Sequence, residues 1–377
     1  MAVGRLRVGV IGAGMWGARA HLPALVASDG VDVVALADPD AGRAEQVAEQ
    51  FGIRHTFAEG GALLAQVDDL DAVVIATPTD THHDLVLAAC ARGVHILCEK
   101  PLAYDLAQAR EMVEALNARG LVGKLGFLFR FSPVMERMKQ LVDEGYIGQV
   151  QLLESLTINA QFIDPTRPLH WKMELARAHG GVFVEYGAHS IDLALWLAGP
   201  IERVVAHGVT LVSERPTTGG ERAAVTVDDA SSWMTQHSNG CESLFRTGWA
   251  SLPIGGGGLR VYGTRGSLAW QLDPTTRRRE WLLGATLDQP EPRELFEFNP
   301  THDPRTDDGI FPLGLLARYN ARLIASFVSD IREGRASGPT FADGLAAQAV
   351  LAGIRTSLDE QRWVDLVNEQ PARNAEN

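Results

Sequence analysis

The sequence has few cysteines and no long apolar run, and both absences narrow the class of protein. Its 377 residues include three cysteines, which lack the CxxC spacing of zinc sites and cannot form a disulfide framework. We interpret them as reduced core thiols of a cytoplasmic protein. No apolar stretch approaches the ~20 residues needed to cross a bilayer, and no signal-peptide pattern precedes the first predicted strand. We therefore expect no membrane partner.

Lys and Arg are outnumbered by Asp and Glu, and this argues against a nucleic-acid partner. The formal net charge is -13 at pH 7, which repels phosphate backbones, so we expect no nucleic-acid partner. Hydrophobic residues make up 46% and charged residues 21% of the chain, as is usual for globular proteins. The length predicts about two domains, each with its own core.

A glycine-rich turn directly follows the first predicted strand, Leu6–Ile11. Gly12 would form the tight turn, Gly14 would let a pyrophosphate approach the backbone, and Gly17 would let the next helix pack closely on the strand. The segment between these glycines contains Met15 and Trp16. The pattern predicts a dinucleotide-binding turn, with the helix N-terminus facing the phosphates.

An acidic residue follows the second predicted strand at the distance this motif requires. Val31–Ala37 ends at Asp38, about 20 residues beyond the turn, where a carboxylate can bind a ribose 2′-hydroxyl and repel a 2′-phosphate. This favours NAD over NADP, although Arg43 lies close enough to weaken the preference. The alternative is a plain helix–strand turn with a surface aspartate.

Two later predicted strands also end in polar residues. Thr77 and Pro78 follow one strand and would line the nicotinamide side of the cofactor, while His82 begins the next helix and more simply fixes the loop. Glu99 and Lys100 follow the strand at Val94–Leu97, at the edge where open parallel sheets bind ligands. A lysine there can react, bind an anion or point into water. A cis Lys100–Pro101 bond is a further hypothesis.

The alternation of strands and helices predicts an α/β protein whose N-terminal domain, residues 1–125, is a Rossmann-type doubly wound parallel sheet. Strands dominate from about residue 149 and predict an antiparallel or mixed sheet in a second domain, residues 126–368. Helices are expected at 313–332 and 341–361. Residues 369–377 are expected to be a disordered tail.

A second group of chemical side chains lies in the predicted second domain. Glu185, His189 and Asp192 are spaced i, i+4 and i+7, which predicts one helical face. Three interpretations remain open: a core histidine with flanking acids, a metal site that no second cluster completes, or a general base tuned by a carboxylate. We expect no metal.

Together these stretches resemble the Gfo/Idh/MocA family of NAD(P)-dependent oxidoreductases. The resemblance extends in the family's order over nearly the whole chain. It implies a Rossmann domain followed by an α/β domain with a large, mostly antiparallel open sheet that often serves as a dimer face, and hence a homodimer or homotetramer. Its landmarks are the turn at 12–17, Ala76-Thr77-Pro78, Glu99-Lys100-Pro101, Gly126-Phe127 with Arg130-Phe131, Gly180-Gly181 with Gly187-x-His189-x-x-Asp192, Val227-Asp228-Asp229, Tyr262-Gly263-Thr264 and Arg362-Trp363-Val364.

The resemblance implies oxidation of a secondary hydroxyl of a sugar, inositol or sugar derivative, or the reverse reaction. Lys100 would contact the reacting hydroxyl and His189 would move its proton. Glu185 stands where the family usually has Asp. The implied substrate-binding residues are Lys100, Arg130, Trp171, Lys172, Glu185, His189 and Asp192. The implied cofactor-binding residues are Gly12, Gly14, Met15, Trp16, Gly17, Asp38, Arg43, Thr77, Pro78, His82, Glu99 and Lys100.

Two other functions remain open on the sequence. A tightly held NAD could oxidise a glycoside transiently, so that elimination and hydride return give net cleavage. Alternatively, the chain could be a non-catalytic nucleotide sensor, although a sensor needs neither Lys100 nor His189.

Overall fold

The computed structural model describes residues 4–252, 257–273, 278–300 and 314–366. These residues form two compact units. The first contains residues 4–131 and 314–345, and the second contains the described residues from 132 to 300 and from 346 to 366. Within the described ranges, no helix has the length and apolar character needed to cross a membrane.

The first unit is built on a six-stranded parallel sheet in the order β3-β2-β1-β4-β5-β6. Its central strands are almost wholly buried, as expected for a parallel sheet covered on both faces. The strands are β1 Leu6–Ile11, β2 Val31–Ala37, β3 His55–Phe57, β4 Ala72–Ile75, β5 His95–Cys98 and β6 Gly123–Leu125.

Short helices connect these strands, and several begin or end with clear local signals. Asp40 accepts a hydrogen bond from the Arg43 N–H and Asp105 accepts one from the Gln108 N–H, so both cap helix N-termini. Gly93 ends another helix in the left-handed conformation. The helices are α1 Leu22–Val26, α2 Ala41–Phe51, α3 Gly60–Gln66, α4 His82–Arg92 and α5 Leu106–Ala118; a π-helix, Gly17–His21, precedes α1, and 3-10 turns span Thr79–Thr81 and Leu128–Phe131.

A helix from late in the chain completes the core of the first unit. Residues of Gly314–Glu333 pack into the hydrophobic cluster that also contains strand residues of β1 and β2. Lys124 and Asp330 form an ion pair of 2.7 Å, and their side chains are 0% and 2% exposed. The predicted boundaries, 1–125 and 126–368, did not anticipate that a late segment of the chain comes back to the first unit.

The second unit is built on a nine-stranded sheet in the order β16-β15-β14-β13-β7-β12-β11-β8-β17. Only the pairing of β12 with β7 is parallel among the described strands of this sheet, so the prediction of a large, mostly antiparallel sheet is confirmed. The strands are β7 Val150–Ile158, β8 Ile201–Val209, β11 Ala230–His237, β12 Glu242–Gly248, β13 Gly258–Gly263, β14 Gly266–Leu272, β15 Glu280–Thr286, β16 Gln289–Phe298 and β17 Val364–Asp365; β9 Glu214–Pro216 and β10 Arg222–Ala224 form a separate pair.

Helices cover one face of this sheet. The Ser155 hydroxyl on β7 donates to Ser190 Oγ at 2.9 Å, which places the helix Gly187–Ala198 over that face. A Cβ on Gly187 would lie 2.7 Å from the Trp233 ring, so the helix and the sheet approach closely there. The helices are α6 Pro133–Asp143, α7 Leu175–Ala178, α8 Val182–Glu185, α9 Gly187–Ala198, α10 Gly314–Glu333 and α11 Phe341–Glu360, of which α10 and the first five residues of α11 belong to the first unit; a 3-10 turn spans Trp171–Met173.

Most predicted elements of both units occur within a few residues of the expected bounds. The stretch at 223–237, which the sequence predicts to be rich in strands, contains the end of β10 at Ala224 and, after a loop, β11 from Ala230. The sequence also missed β14, β15 and β16. The predicted tail at 369–377 lies outside the described residues.

Candidate active site

The glycine turn at the carboxyl end of β1 has the geometry that the motif requires. Gly12 has φ of +105°, and a Cβ there would collide with the Ala76 carbonyl. A Cβ on Gly17 would collide with the Gly12 carbonyl, so the start of the helix can pack this closely on the turn only with glycine at position 17. In contrast, a Cβ on Gly14 would meet nothing within 4 Å. The turn therefore leaves open space above Gly14, which fits a pyrophosphate.

Asp38 is fixed at the carboxyl end of β2 and is 5% exposed. Its Oδ2 accepts a hydrogen bond from the Ala13 N–H at 2.8 Å, and its Oδ1 accepts one from Arg43 Nη2 at 2.7 Å. Burial alone would raise the pKa of Asp38, but the hydrogen bonds from Arg43, the Asp40 N–H and the Ala13 N–H hold it below its ordinary value. An ionised carboxylate at this place fits a ribose hydroxyl. These observations show that the residues present suit a dinucleotide.

His82 connects two loops that follow neighbouring strands. Its Nε2 lies 3.1 Å from the Thr77 carbonyl, beyond β4, and its Nδ1 lies 3.1 Å from the Pro101 carbonyl, beyond β5. The ring is 1% exposed, and burial lowers the pKa of His82. The expectation that His82 fixes the loop agrees with these contacts. The Lys100–Pro101 bond is cis, as hypothesised.

Lys100 lies at the same sheet edge as the glycine turn. It follows β5, whose neighbour β4 pairs with β1 in parallel, so the carboxyl ends of all three strands share one edge. Lys100 is half-buried, and its N–H donates to Glu99 Oε2 at 3.2 Å. Glu99 in turn lies 2.9 Å from His21 Nε2, a partner that the sequence did not indicate.

Arg130 is not an open binding group. Its Nη2 lies 3.0 Å from Asp343 Oδ1, and its side chain is 9% exposed. Asp343 also accepts from the Thr340 N–H at 2.6 Å, near the start of α11. Burial would raise the pKa of Asp343, but the Arg130 charge and the Thr340 hydrogen bonds keep it below its ordinary value. These contacts give Arg130 a structural role, and its contact with substrate stays a prediction.

In the second unit, Trp171, Lys172 and Glu185 form one cluster. Lys172 Nζ lies 2.6 Å from Glu185 Oε1, and the two side chains are 16% and 17% exposed. The Lys172 ammonium also lies 5.7 Å from the centre of the Trp171 ring. His170, which the sequence did not indicate, accepts from the Lys172 N–H, and burial together with the Lys172 charge lowers the pKa of His170 to about 4.

His189 and Asp192 lie on α9, but Glu185 does not. Glu185 ends α8, Tyr186 forms a turn, and α9 begins at Gly187. The spacing predicted one continuous helical face, whereas the helix is interrupted at Tyr186, although the backbone there keeps right-handed angles of φ -103° and ψ -33°. Asp192 is 1% exposed, whereas His189 is half-buried. No group of three potential metal ligands occurs within the described ranges.

Asp228 positions the segment that leads to these residues. Its carboxylate accepts from the Gly181 N–H at 2.8 Å and the Phe183 N–H at 3.2 Å, at the start of α8. The Ser231 hydroxyl donates to the same carboxylate at 2.5 Å. Burial raises the pKa of Asp228 despite these donors. The sequence marked Asp228 only as a landmark, since a contact across 47 residues leaves no local signal.

Comparison with known proteins agrees with this arrangement. The family model described as an oxidoreductase family with an NAD-binding Rossmann fold matches residues 6–127, and the Gfo/Idh/MocA C-terminal domain matches residues 135–269. The chain belongs to the Gfo/Idh/MocA oxidoreductase family. The resemblance inferred from the sequence and the Rossmann-type fold are thus confirmed, and NAD binding follows from the family model and the turn.

Several Gfo/Idh/MocA relatives are similar over most of the chain. Inositol 2-dehydrogenase 4 of Saccharopolyspora erythraea is 30% identical over 73% of this chain and 80% of its own. Levoglucosan dehydrogenase of Pseudarthrobacter phenanthrenivorans is 28% identical over 96% of this chain and 98% of its own. A solved structure of a levoglucosan dehydrogenase in complex with NADH and L-sorbose has a TM-score of 0.85 and 26% identity, covering 97% of this chain and 99% of that one.

Proposed function

We propose that this protein is an NAD-dependent dehydrogenase that oxidises a secondary hydroxyl of a sugar, an inositol or a related polyol, or reduces the matching ketone. The observation that carries the proposal is the position of Lys100 at the carboxyl edge shared by β1, β4 and β5, beside the turn that suits the dinucleotide. The relatives named as inositol and levoglucosan dehydrogenases support a polyhydroxylated substrate.

The bound NAD would accept the hydride in the oxidation direction. Lys100 would hold the reacting hydroxyl by a hydrogen bond from its ammonium and polarise the oxygen as the carbonyl forms. His189 would take the hydroxyl proton as general base. An imidazole suits this task because its ordinary pKa lies near neutral pH.

Trp171, Lys172 and Glu185 would bind the rest of the substrate. An aromatic ring offers an apolar face to the C–H groups of a sugar, while the paired ammonium and carboxylate offer a donor and an acceptor to its hydroxyls. The ion pair with Lys172 would hold the Glu185 side chain in position. Asp192 would support His189 from its buried position on α9.

A screen of NAD⁺ and NADP⁺ reduction over sugars, inositols and glycosides tests the proposal. We expect NADH formation with at least one polyol, and we expect Lys100→Met and His189→Asn each to lower kcat by at least about a hundredfold. Near-normal turnover in both variants would contradict the assigned roles. Glycoside cleavage without accumulation of NADH would favour transient oxidation and elimination, and nucleotide binding without any turnover would favour a sensor.

We further propose that the chain forms a homodimer or homotetramer through the uncovered face of the nine-stranded sheet. Leu152 and Leu156 on β7 and Leu244 on β12 are 50%, 37% and 48% exposed on the face opposite α9. Such apolar side chains grouped on one face are typical of an interface. Light scattering of wild type and Leu244→Glu tests this, and a monomeric wild type would contradict it.

The predicted cytoplasmic location also stays a proposal. Cys90, Cys98 and Cys241 are all buried free thiols, which suits a reducing compartment. Cell fractionation with an antibody against the protein tests this.

A further inference from the structure

The Glu99 carboxylate, next to Lys100, is held from three directions. His21 Nε2 lies 2.9 Å from Oε1, and the Lys100 N–H donates to Oε2 at 3.2 Å. A Cβ on Gly126, just beyond β6, would lie 2.9–3.0 Å from atoms of the carboxylate, so the third side is closed by backbone. The carboxylate is therefore fixed in position, and one of its oxygens fixes the backbone of Lys100.

Within the described residues, the contact with Glu99 is the polar contact that explains the buried position of the His21 ring. It ends the π-helix that follows the glycine turn, and it is 0% exposed. Its Nδ1 has no hydrogen-bond partner in the part of the chain that the structure describes. A buried imidazole with one nitrogen that lacks a hydrogen bond lowers the stability of the fold. An apolar side chain of similar size would fill this space without that cost. The imidazole contributes the contact with Glu99, which an apolar side chain could not make. In addition, π-helical turns such as the one that His21 ends often occur at functional sites.

The surroundings of Glu99 favour its charged form. Burial alone would raise the pKa of Glu99, but the hydrogen bond and charge of His21 and the charge and N–H of Lys100 hold it below its ordinary value. The other titratable groups near it are His82 on α4 and Cys98 at the end of β5. A fixed anion therefore lies against the backbone of Lys100.

We propose that His21 is a positioning residue for the reaction: it holds Glu99 as an anion so that Glu99 fixes the backbone of Lys100 and supplies a negative charge beside it. This inference rests on the proposed role of Lys100. It connects the helix of the cofactor turn to the lysine through one side-chain contact, across 78 residues of chain.

The test compares His21→Leu with His21→Gln, whose amide can still donate to Glu99. In His21→Leu the buried carboxylate loses its side-chain donor and takes up a proton at higher pH. We expect kcat to gain an acidic limb, falling about tenfold from pH 8 to pH 6, with KM changed less than about threefold. His21→Gln should recover most of the wild-type profile.

His237→Leu is the matched control, because His237 is also a buried histidine with hydrogen bonds, to the Gly199 carbonyl and Ser243 Oγ, in the other unit. It should lower thermal stability without adding an acidic limb. The second measurement does not use activity: the ¹³C shift of the Glu99 carboxyl, followed against pH in the apo protein, should titrate at higher pH in His21→Leu than in wild type.

A His21→Leu protein with the wild-type pH profile and an unchanged Glu99 titration would overturn the inference. If that variant does not fold, Glu99→Gln answers the same question, since it mimics the protonated acid, and full activity in Glu99→Gln would also overturn it. A wild type without dehydrogenase turnover would contradict the proposed function instead, while the carboxyl titration would still decide whether His21 holds Glu99 ionised.

Discussion

Lys172 and Glu185 form an ion pair of 2.6 Å that is largely shielded from water, and an aromatic ring lies beside it. Removing one partner of a pair that is shielded from water costs more than breaking a surface pair, because the remaining charge is left partly buried and uncompensated. The pair therefore couples the loop that contains Trp171 to the end of α8. Replacement of either residue is expected to disturb both segments.

Glu185→Gln should lower kcat/KM by at least about tenfold, because Lys172 loses its counter-charge and its fixed position. Glu185→Asp keeps the charge with one methylene fewer and should retain more activity. Steady-state kinetics of both variants, with thermal unfolding as a check on folding, provide the measurement. Equal kcat/KM for Glu185→Gln and wild type would show that the pair has no role in turnover.

Asp38→Ser should move the cofactor preference towards NADP⁺. It removes the charge that repels a 2′-phosphate and releases Arg43, which is now 2.7 Å from the carboxylate. We expect the ratio of kcat/KM for NAD⁺ to that for NADP⁺ to fall by at least about tenfold. Arg43→Ala is the control and should not raise NADP⁺ use. An unchanged ratio in Asp38→Ser would mean that Asp38 does not contact the ribose.

His237 should make the protein less stable in mild acid. Burial lowers its pKa to about 4, well below the value of about 6.5 in an unfolded chain. Because the unfolded state takes up the proton more readily, stability is fully present above pH ~6.5 and is lost as the pH falls towards ~4. The loss from this group is about 3 kcal/mol at most.

Thermal unfolding of wild type and His237→Gln between pH 7.5 and 4.5 measures this effect. The variant should show a weaker dependence on pH, whereas His55→Gln, at an exposed position, should follow the wild type. Parallel curves for wild type and His237→Gln would contradict the prediction.

The buried pair of Lys124 and Asp330 gives a fourth prediction. Lys124 Nζ also donates to Ser326 Oγ at 2.7 Å, and burial lowers the pKa of Lys124 despite its partner. Lys124→Met leaves a buried aspartate uncompensated and should lower the free energy of unfolding by about 3–5 kcal/mol. The double variant Lys124→Met with Asp330→Leu should recover a large part of this loss. Denaturant unfolding of the two single variants and the double variant completes the cycle, and additive losses would show that the pair does not interact.

The sequence was informative where the chemistry is local. The turn at 12–17 and Asp38 were predictable because a strand end, a few glycines and one acid specify the arrangement over a short stretch. Lys100 was found in the same way, since a charged residue directly after a buried strand must lie at the sheet edge. The strand-to-helix alternation similarly predicted the parallel sheet.

The sequence was silent where two distant residues meet. Nothing near His21 indicates Glu99, and nothing near Asp228 indicates the N–H groups of Gly181 and Phe183, because such contacts depend on how the whole unit folds. The interruption of the helix at Tyr186 was also not predicted. Spacing shows which residues could share a face, but not where one helix ends and the next begins.

The return of α10 to the first unit affects how the chain can fold during synthesis. Leu323, Ile324 and Phe327 of α10 lie in the same cluster as Val8 and Leu22. A ribosome that has finished the six-stranded sheet has not yet made the helix that covers this part of it. The apolar surface around Leu22 therefore stays uncovered until the chain has been synthesised to residue 333. By then most of the second unit has been made, so the dinucleotide-binding core is completed late in synthesis.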